Sequence, residues 1–206
     1  MVDASERGWG DGWPAVRSAE MVDLVVGGIS FPGGVHRDVA GLMETLIAAS
    51  VDQGWLTLKD GWCWGYANRP IKTPTGGFTD TPSNHSWGLA IDVNEPENPF
   101  GGASHAIPEE MGDFWETWGF RWGGHYESTQ DWMHFEFMGT PEDVLPLTEK
   151  ARGEFDMLTE DQQRTLDWAE GMRMFFRGEE EPLEESTVKR GWNDARRVVL
   201  ESKDDK

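Results

Sequence analysis

Two short runs in which apolar and polar residues alternate, Gly88–Asn94 and Asp131–Phe137, do most to constrain how this chain folds. In the first, Leu89, Ile91 and Val93 share one face and Ala90, Asp92 and Asn94 the other. In the second, Met133, Phe135 and Phe137 oppose His134 and Glu136. A period of two belongs to a half-buried strand. Paired in one sheet, such strands bring Asp92 and His134 together, because side chains opposite each other across a ladder lie roughly 5 Å apart. Gly88 has no side chain and lets the chain turn between His85 and the first strand, which leaves His85 in the feeding loop on the side of Asp92.

Two imidazoles, one carboxylate ligand and one spare carboxylate are the inventory of a catalytic zinc site, in which three protein ligands leave the fourth position to water. His85, Asp92 and His134 fill that quota around one Zn2+ ion. The water needs an acceptor for its proton, and Asp131 is the candidate: three residues before His134, it stays within reach of the metal without using a coordination position. Each residue alone has a plainer reading, since a histidine beside an aromatic is usually structural and an aspartate after a strand usually forms a turn. The joint pattern carries the argument, because the chain has only 5 histidines and two fall in segments that also present a carboxylate. The HExxH, CxxC, GxSxG and GxxxxGK[ST] patterns are absent from the sequence, which leaves other hydrolase and nucleotide chemistries without local support.

The pattern SxHxxGxAxD over Ser83–Asp92, followed by DxxHFE over Asp131–Glu136, resembles the zinc D-alanyl-D-alanine carboxypeptidase family, with its VanY-like carboxypeptidases, D-Ala-D-Ala dipeptidases and phage endolysins that cut L-alanyl-D-glutamate. The segments Gly65–Ile71 and Trp118–Gly124 extend the resemblance to roughly residues 60–138. The resemblance implies zinc on His85, Asp92 and His134, Asp131 as general base, and Arg69 facing substrate. A guanidinium there also meets a chemical need, holding a substrate carboxylate or stabilising an oxyanion. Ser83 either contacts substrate or a ligand, or caps its loop. His125 and Tyr126 are read as substrate-side or outer residues, or as the border of the cleft; His36 and His105 are read as structural or solvent-facing. The implied substrate is the peptide stem of peptidoglycan, cut either by a D,D-carboxypeptidase or by an L-Ala-D-Glu endopeptidase. A competing reading is a non-catalytic zinc-containing binding module resembling Hedgehog signalling domains, although retention of Asp131 and Arg69 favours chemistry.

A net charge of −20, with 38 acids against 18 bases, disfavours nucleic acid as a partner, since phosphate neutralisation needs clusters of Lys and Arg. No apolar run approaches the ~20 residues of a membrane span, and no signal-peptide core is visible near the N-terminus. The expectation is synthesis in a cytoplasm without a signal peptide, and action on the cell wall after release or from within a virion, as for a phage endolysin or virion-associated lysin. The single cysteine, Cys63, has no internal disulfide partner and reads as a buried thiol. The 12 tryptophans are best read as aromatic filling of a Gly-rich fold, with sugar stacking as the alternative. Composition leaves the oligomeric state open.

Residues 1–20 read as a lead-in whose Trp9 and Trp13 pack on a peptidase domain over 21–140, and 141–206 as a helical C-terminal extension. Within the domain, Met21–Phe31 suggests a strand and His36–Gln53 an amphipathic helix stopped by Gly54. Gly61–Ala67 suggests a strand, Thr73–Asn84 a loop over the site, and Pro108–Trp118 a second helix. Further helices are expected over Thr159–Arg177 and Glu184–Ser202, serving as lid, oligomerisation element, docking surface or plain stabilising appendage. The whole is an α+β fold, a small antiparallel sheet with flanking helices of the Hedgehog and DD-peptidase type, plus the C-terminal helical appendage.

Overall fold

The computed structural model describes residues 3–155 and, beyond them, Met172, Gly178 and Asn193. The chain divides into two compact units, Met1–Arg152 and Gly153–Lys206, and the helices expected over Thr159–Arg177 and Glu184–Ser202 lie outside the described residues.

The first unit mixes helices with three small antiparallel sheets, as expected for the α+β class. Strands β1 (Met21–Val26) and β2 (Ile29–His36) form a hairpin where one strand was expected. Helix α1 (Arg37–Asp52) follows directly, capped by His36, whose Nδ1 accepts from the Asp38 amide at 3.3 Å. Its apolar positions Val39, Leu42, Met43, Leu46 and Ile47 recur at helical spacing and are fully buried. Burial on that scale stabilises by roughly 1.5–3 kcal/mol for each large aliphatic side chain.

The segment expected as a strand over Gly61–Ala67 contributes only an isolated bridge, Trp64 to Asp92. The loop expected over Thr73–Asn84 instead contains β4 (Phe78–Pro82), paired with β3 (Pro70–Lys72). The sheet that matters most has the order β5-β7-β6, from β5 (Ala90–Asp92), β6 (Phe120–Trp122) and β7 (His134–Phe137). Helix α2 (Glu109–Glu116), preceded by Pro108, backs this sheet. Trp115 of α2 lies edge-on to Phe120 at 4.8 Å and tilted on Phe135 at 4.7 Å, and its Nε1 donates to Ser50 Oγ of α1 at 3.0 Å. Both helices therefore meet beneath β7. A third helix runs from 141 to the end of the described stretch at 155.

Trp9, Trp87, Trp115, Trp118 and Trp122 are buried, so these five fill the interior as expected. The lead-in packs closely on the domain: Trp9 Nε1 donates to the Gly139 carbonyl at 2.9 Å, and Trp87 Nε1 donates to that of Gly10 at 2.8 Å. Among the described residues no helix is long and apolar enough to cross a membrane.

Candidate metal centre

The pairing register of β5 and β7 sets Asp92 directly opposite His134. His85 arrives from a one-turn 3-10 helix, Asn84–Trp87, which Gly88 ends at φ +68°. A Cβ at Gly88 would lie 2.5 Å from the His36 amide nitrogen and 2.3 Å from Met21 Sδ, so both the backbone turn and the close packing require glycine. His85 Nε2 stands 3.2 Å and His134 Nδ1 2.9 Å from the same oxygen, Asp92 Oδ1. All three side chains are buried, and their donor atoms lie within 4.8 Å of one another.

The far nitrogen of each imidazole is anchored. His85 Nδ1 faces the Gly65 carbonyl at 2.8 Å, an anchor that turns Nε2 toward Asp92. His134 Nε2 faces Glu136 Oε2 at 3.4 Å, which frees Nδ1 for the centre. Fixing a metal-binding imidazole through its other nitrogen sets its tautomer and its basicity.

The electrostatics follow from burial and close opposite charge. Burial favours the neutral form of Asp92, but His85 and His134 outweigh it and hold the carboxyl below its ordinary value. Burial likewise opposes a charged His134, yet hydrogen bonds to Asp92 and Glu136 raise it well above the ordinary histidine range. Glu136 is held down at about 2 against its own desolvation, chiefly by His134, with Tyr126 and Asn84 donating to it.

Asp131 is different. Burial pushes its carboxyl up to about 6 and Asp92 adds to the shift, while His134, His85 and Arg69 act in the opposite sense. Its Oδ1 is buried without a hydrogen-bond partner, a costly state for a carboxylate oxygen. Gly123 makes its position possible: a Cβ there would lie 2.3 Å from the Asp131 carbonyl oxygen. Two imidazole nitrogens and a carboxylate oxygen converging beside this orphaned oxygen fit a divalent cation of the zinc type.

The other expected residues divide. Arg69 is half-buried, acts electrostatically on Asp131, and donates from Nη1 to the Pro70 carbonyl at 3.1 Å. Ser83 serves as the cap of the 3-10 turn, its Oγ accepting from the His85 amide at 3.4 Å. Tyr126 donates its hydroxyl to Glu136 Oε1 at 2.7 Å and so supports the residue behind His134. His125 belongs to a separate surface cluster with Asp113 and Glu116. His36 and His105 are structural: His36 caps α1, and His105 stacks on Trp132 at 3.8 Å.

Sequence reasoning missed what Glu136, Asn84 and Arg7 do. Glu136 shares the strand face of His134 two positions on, a signal that was available. Arg7 contacts residues 77 to 132 positions away, for which no local pattern exists.

Residues 77–137 match the family model described as D-alanyl-D-alanine carboxypeptidase. The matched stretch contains His85, Asp92, Asp131 and His134 and leaves out Arg69. No curated protein and no solved structure matches the chain. The segment that builds the centre is thus similar to the D-alanyl-D-alanine carboxypeptidase family, a family of zinc peptidases.

Proposed function

We propose that the chain is a zinc-dependent peptidase that hydrolyses the peptide stems of peptidoglycan, with one Zn2+ held by His85 Nε2, the Asp92 carboxylate and His134 Nδ1. One observation carries this reading: Asp92 Oδ1 lies 3.2 and 2.9 Å from two buried imidazoles whose far nitrogens are already engaged. When bound, the ion supplies Lewis acidity toward the scissile carbonyl and a water of lowered pKa.

The remaining work falls to the chain's own side chains. Asp131, pushed up to about 6, is a carboxylate of raised basicity at neutral pH, suited to take a proton from water and return it to the leaving amine. Arg69 presents its guanidinium on the side of Asp131, where it can pair with negative charge on the substrate, either the developing oxyanion or a terminal carboxylate. Glu136, held by Tyr126 and Asn84, keeps the His134 ring from rotating.

Digestion of purified peptidoglycan with and without chelator, followed by mass analysis of the products, tests the proposal. Chelator-sensitive hydrolysis is expected. Loss of one terminal D-Ala assigns the D,D-carboxypeptidase, and a cut between L-Ala and D-Glu assigns the endopeptidase. Wall binding without product in either condition would sink the enzymatic reading.

A further inference from the structure

We infer that the N-terminal segment is a working part of the centre: Arg7, acting through Asn84 and Glu136, fixes the orientation of the His134 imidazole. The inference rests on the reading of His85, Asp92 and His134 as metal ligands.

The contacts form an unbroken chain. Arg7 Nη1 donates to the carbonyls of Phe137 and Gly139, both at 2.9 Å, and Nη2 donates to Asn84 Oδ1 at 3.1 Å. Asn84 Nδ2 then donates to Glu136 Oε2 at 2.7 Å, and the same oxygen faces His134 Nε2 at 3.4 Å. The second oxygen of Glu136 accepts from Tyr126 at 2.7 Å and lies 3.9 Å from Arg121. Both Glu136 oxygens are therefore held, and the carboxylate has one orientation toward His134.

Arg7 sets the direction of this relay. A guanidinium is a donor only, so it fixes Asn84 Oδ1 on its own side and compels the amide NH2 toward Glu136. Without it, the bond to Glu136 alone orients the Asn84 amide, and its carbonyl end is no longer held. Arg7 also joins the far end of β7 at the Phe137 carbonyl and the chain just past it at Gly139, so the fork reads the position of the very strand that carries His134. Burial lowers the Arg7 guanidinium from its ordinary value, and the Glu136 and Asp3 carboxylates act in the opposite sense.

A plainer role would be to staple the N-terminal segment to the domain, which Trp9 and Trp87 also do. The two roles separate in the full chain by titration of Zn2+ against a chromogenic chelator in the wild type, Arg7→Lys, Asn84→Ala and the double variant. Lysine keeps a charge against the Phe137 and Gly139 carbonyls but cannot fork to Asn84 as well, and Tm reports whether the segment stays docked. Each single variant should weaken Zn2+ binding by about 10-fold, the lower end of what loss of an outer partner costs. The double variant should bind no more weakly than the weaker single, because both changes cut one relay. The visible absorption of the Co2+ form should shift in the singles.

Unchanged affinity in Arg7→Lys, or effects that multiply in the double variant, would overturn the relay and leave Arg7 a staple. A wild type that takes up no Zn2+ in stoichiometric amount would remove the reading of the centre and this inference with it. One Zn2+ per wild-type chain with unaffected variants would remove the inference alone.

Discussion

Among the described residues, the clusters that hold His134 and His125 against carboxylates are built on opposite terms. His134 sits 2.9 Å from Asp92 and 3.4 Å from Glu136, buried, with its partners drawn from the facing strand and its own. His125 sits 3.0 Å from Glu109 and 3.1 Å from Glu116 on the surface, its partners taken from helix α2. Asp113, Glu116 and His125 converge as closely as His85, Asp92 and His134 do, so proximity of donor atoms does not separate the two groups. Burial and prior engagement do. In the inner cluster each imidazole turns one nitrogen to an anchor and one to the centre, and Asp131 Oδ1 is buried with no partner. In the outer cluster both nitrogens of His125 are already satisfied by carboxylates, and water reaches all of them. A bound cation would offset the desolvation of the inner donor set, whereas the outer set is already satisfied by its own carboxylates and by water.

The sharpest way to break that contrast is to delete one histidine from each. His134→Ala should lose stoichiometric Zn2+ altogether, an effect beyond the roughly 100-fold cost of losing an outer partner, and hydrolysis with it. His125→Ala should retain one ion per chain. Metal analysis of both variants purified without added ions decides the matter, and retention of the ion by His134→Ala would refute the assignment of the centre.

Within the inner cluster, Asp131 should separate chemistry from binding. Asp131→Asn is expected to keep one Zn2+ while kcat falls by about 10²–10⁴-fold, the range for loss of a general base. Arg69→Ala should cost about 10²–10³-fold in kcat/KM, with Lys recovering part of it, if the guanidinium meets charge that develops during reaction. Equal metal loss in Asp131→Asn and His134→Ala would erase the division between ligand and base.

The same aspartate predicts a pH dependence of stability. Its folded pKa of about 6 stands above the ordinary 3.8, so the fold favours the protonated form. The penalty for ionising it is absent below about pH 4, grows as pH rises to about 6, and stays constant above. Asp131→Asn carries no such penalty. In the metal-free protein it should therefore be more stable than wild type by on the order of 3 kcal/mol at pH 8, with the advantage vanishing toward pH 4. Denaturant titration at the two pH values would show this, and a variant less stable at pH 8 would deny that Asp131 is held in strain for function.

The pairing of Asp92 with His134 was legible because period-two alternation fixes which side chains share a face, and a sheet has few ways to join two such runs. Helix α1 was legible for the same reason at period 3.6. The β1–β2 hairpin was not, because Gly27-Gly28 lay unread as a turn inside an apolar run, although both residues take positive φ. Strands of three residues such as β3 are too short for any period to show. Ser83 was open between two roles until the 3-10 turn was visible, and Arg7 was beyond reach because its partners are set by the tertiary fold alone.

The smallest expected effect lies in the outer cluster. Slight burial works against the charge on His125, but hydrogen bonds with Glu109 and Glu116 outweigh it and raise the imidazole above its ordinary 6.5. A raised pKa on a base contributes stability that is fully present below the unfolded value and is lost as pH rises through the folded one. Exposed pairs of this kind contribute only about 0.2–1 kcal/mol, and salt screens them. His125→Ala should therefore lower Tm slightly at pH 5.5 and not at pH 8.5, with the difference shrinking in 1 M salt. Zn2+ affinity should be unmoved throughout. A drop in Zn2+ affinity at either pH would mean that the two clusters are coupled, and that the surface histidine belongs to the centre after all.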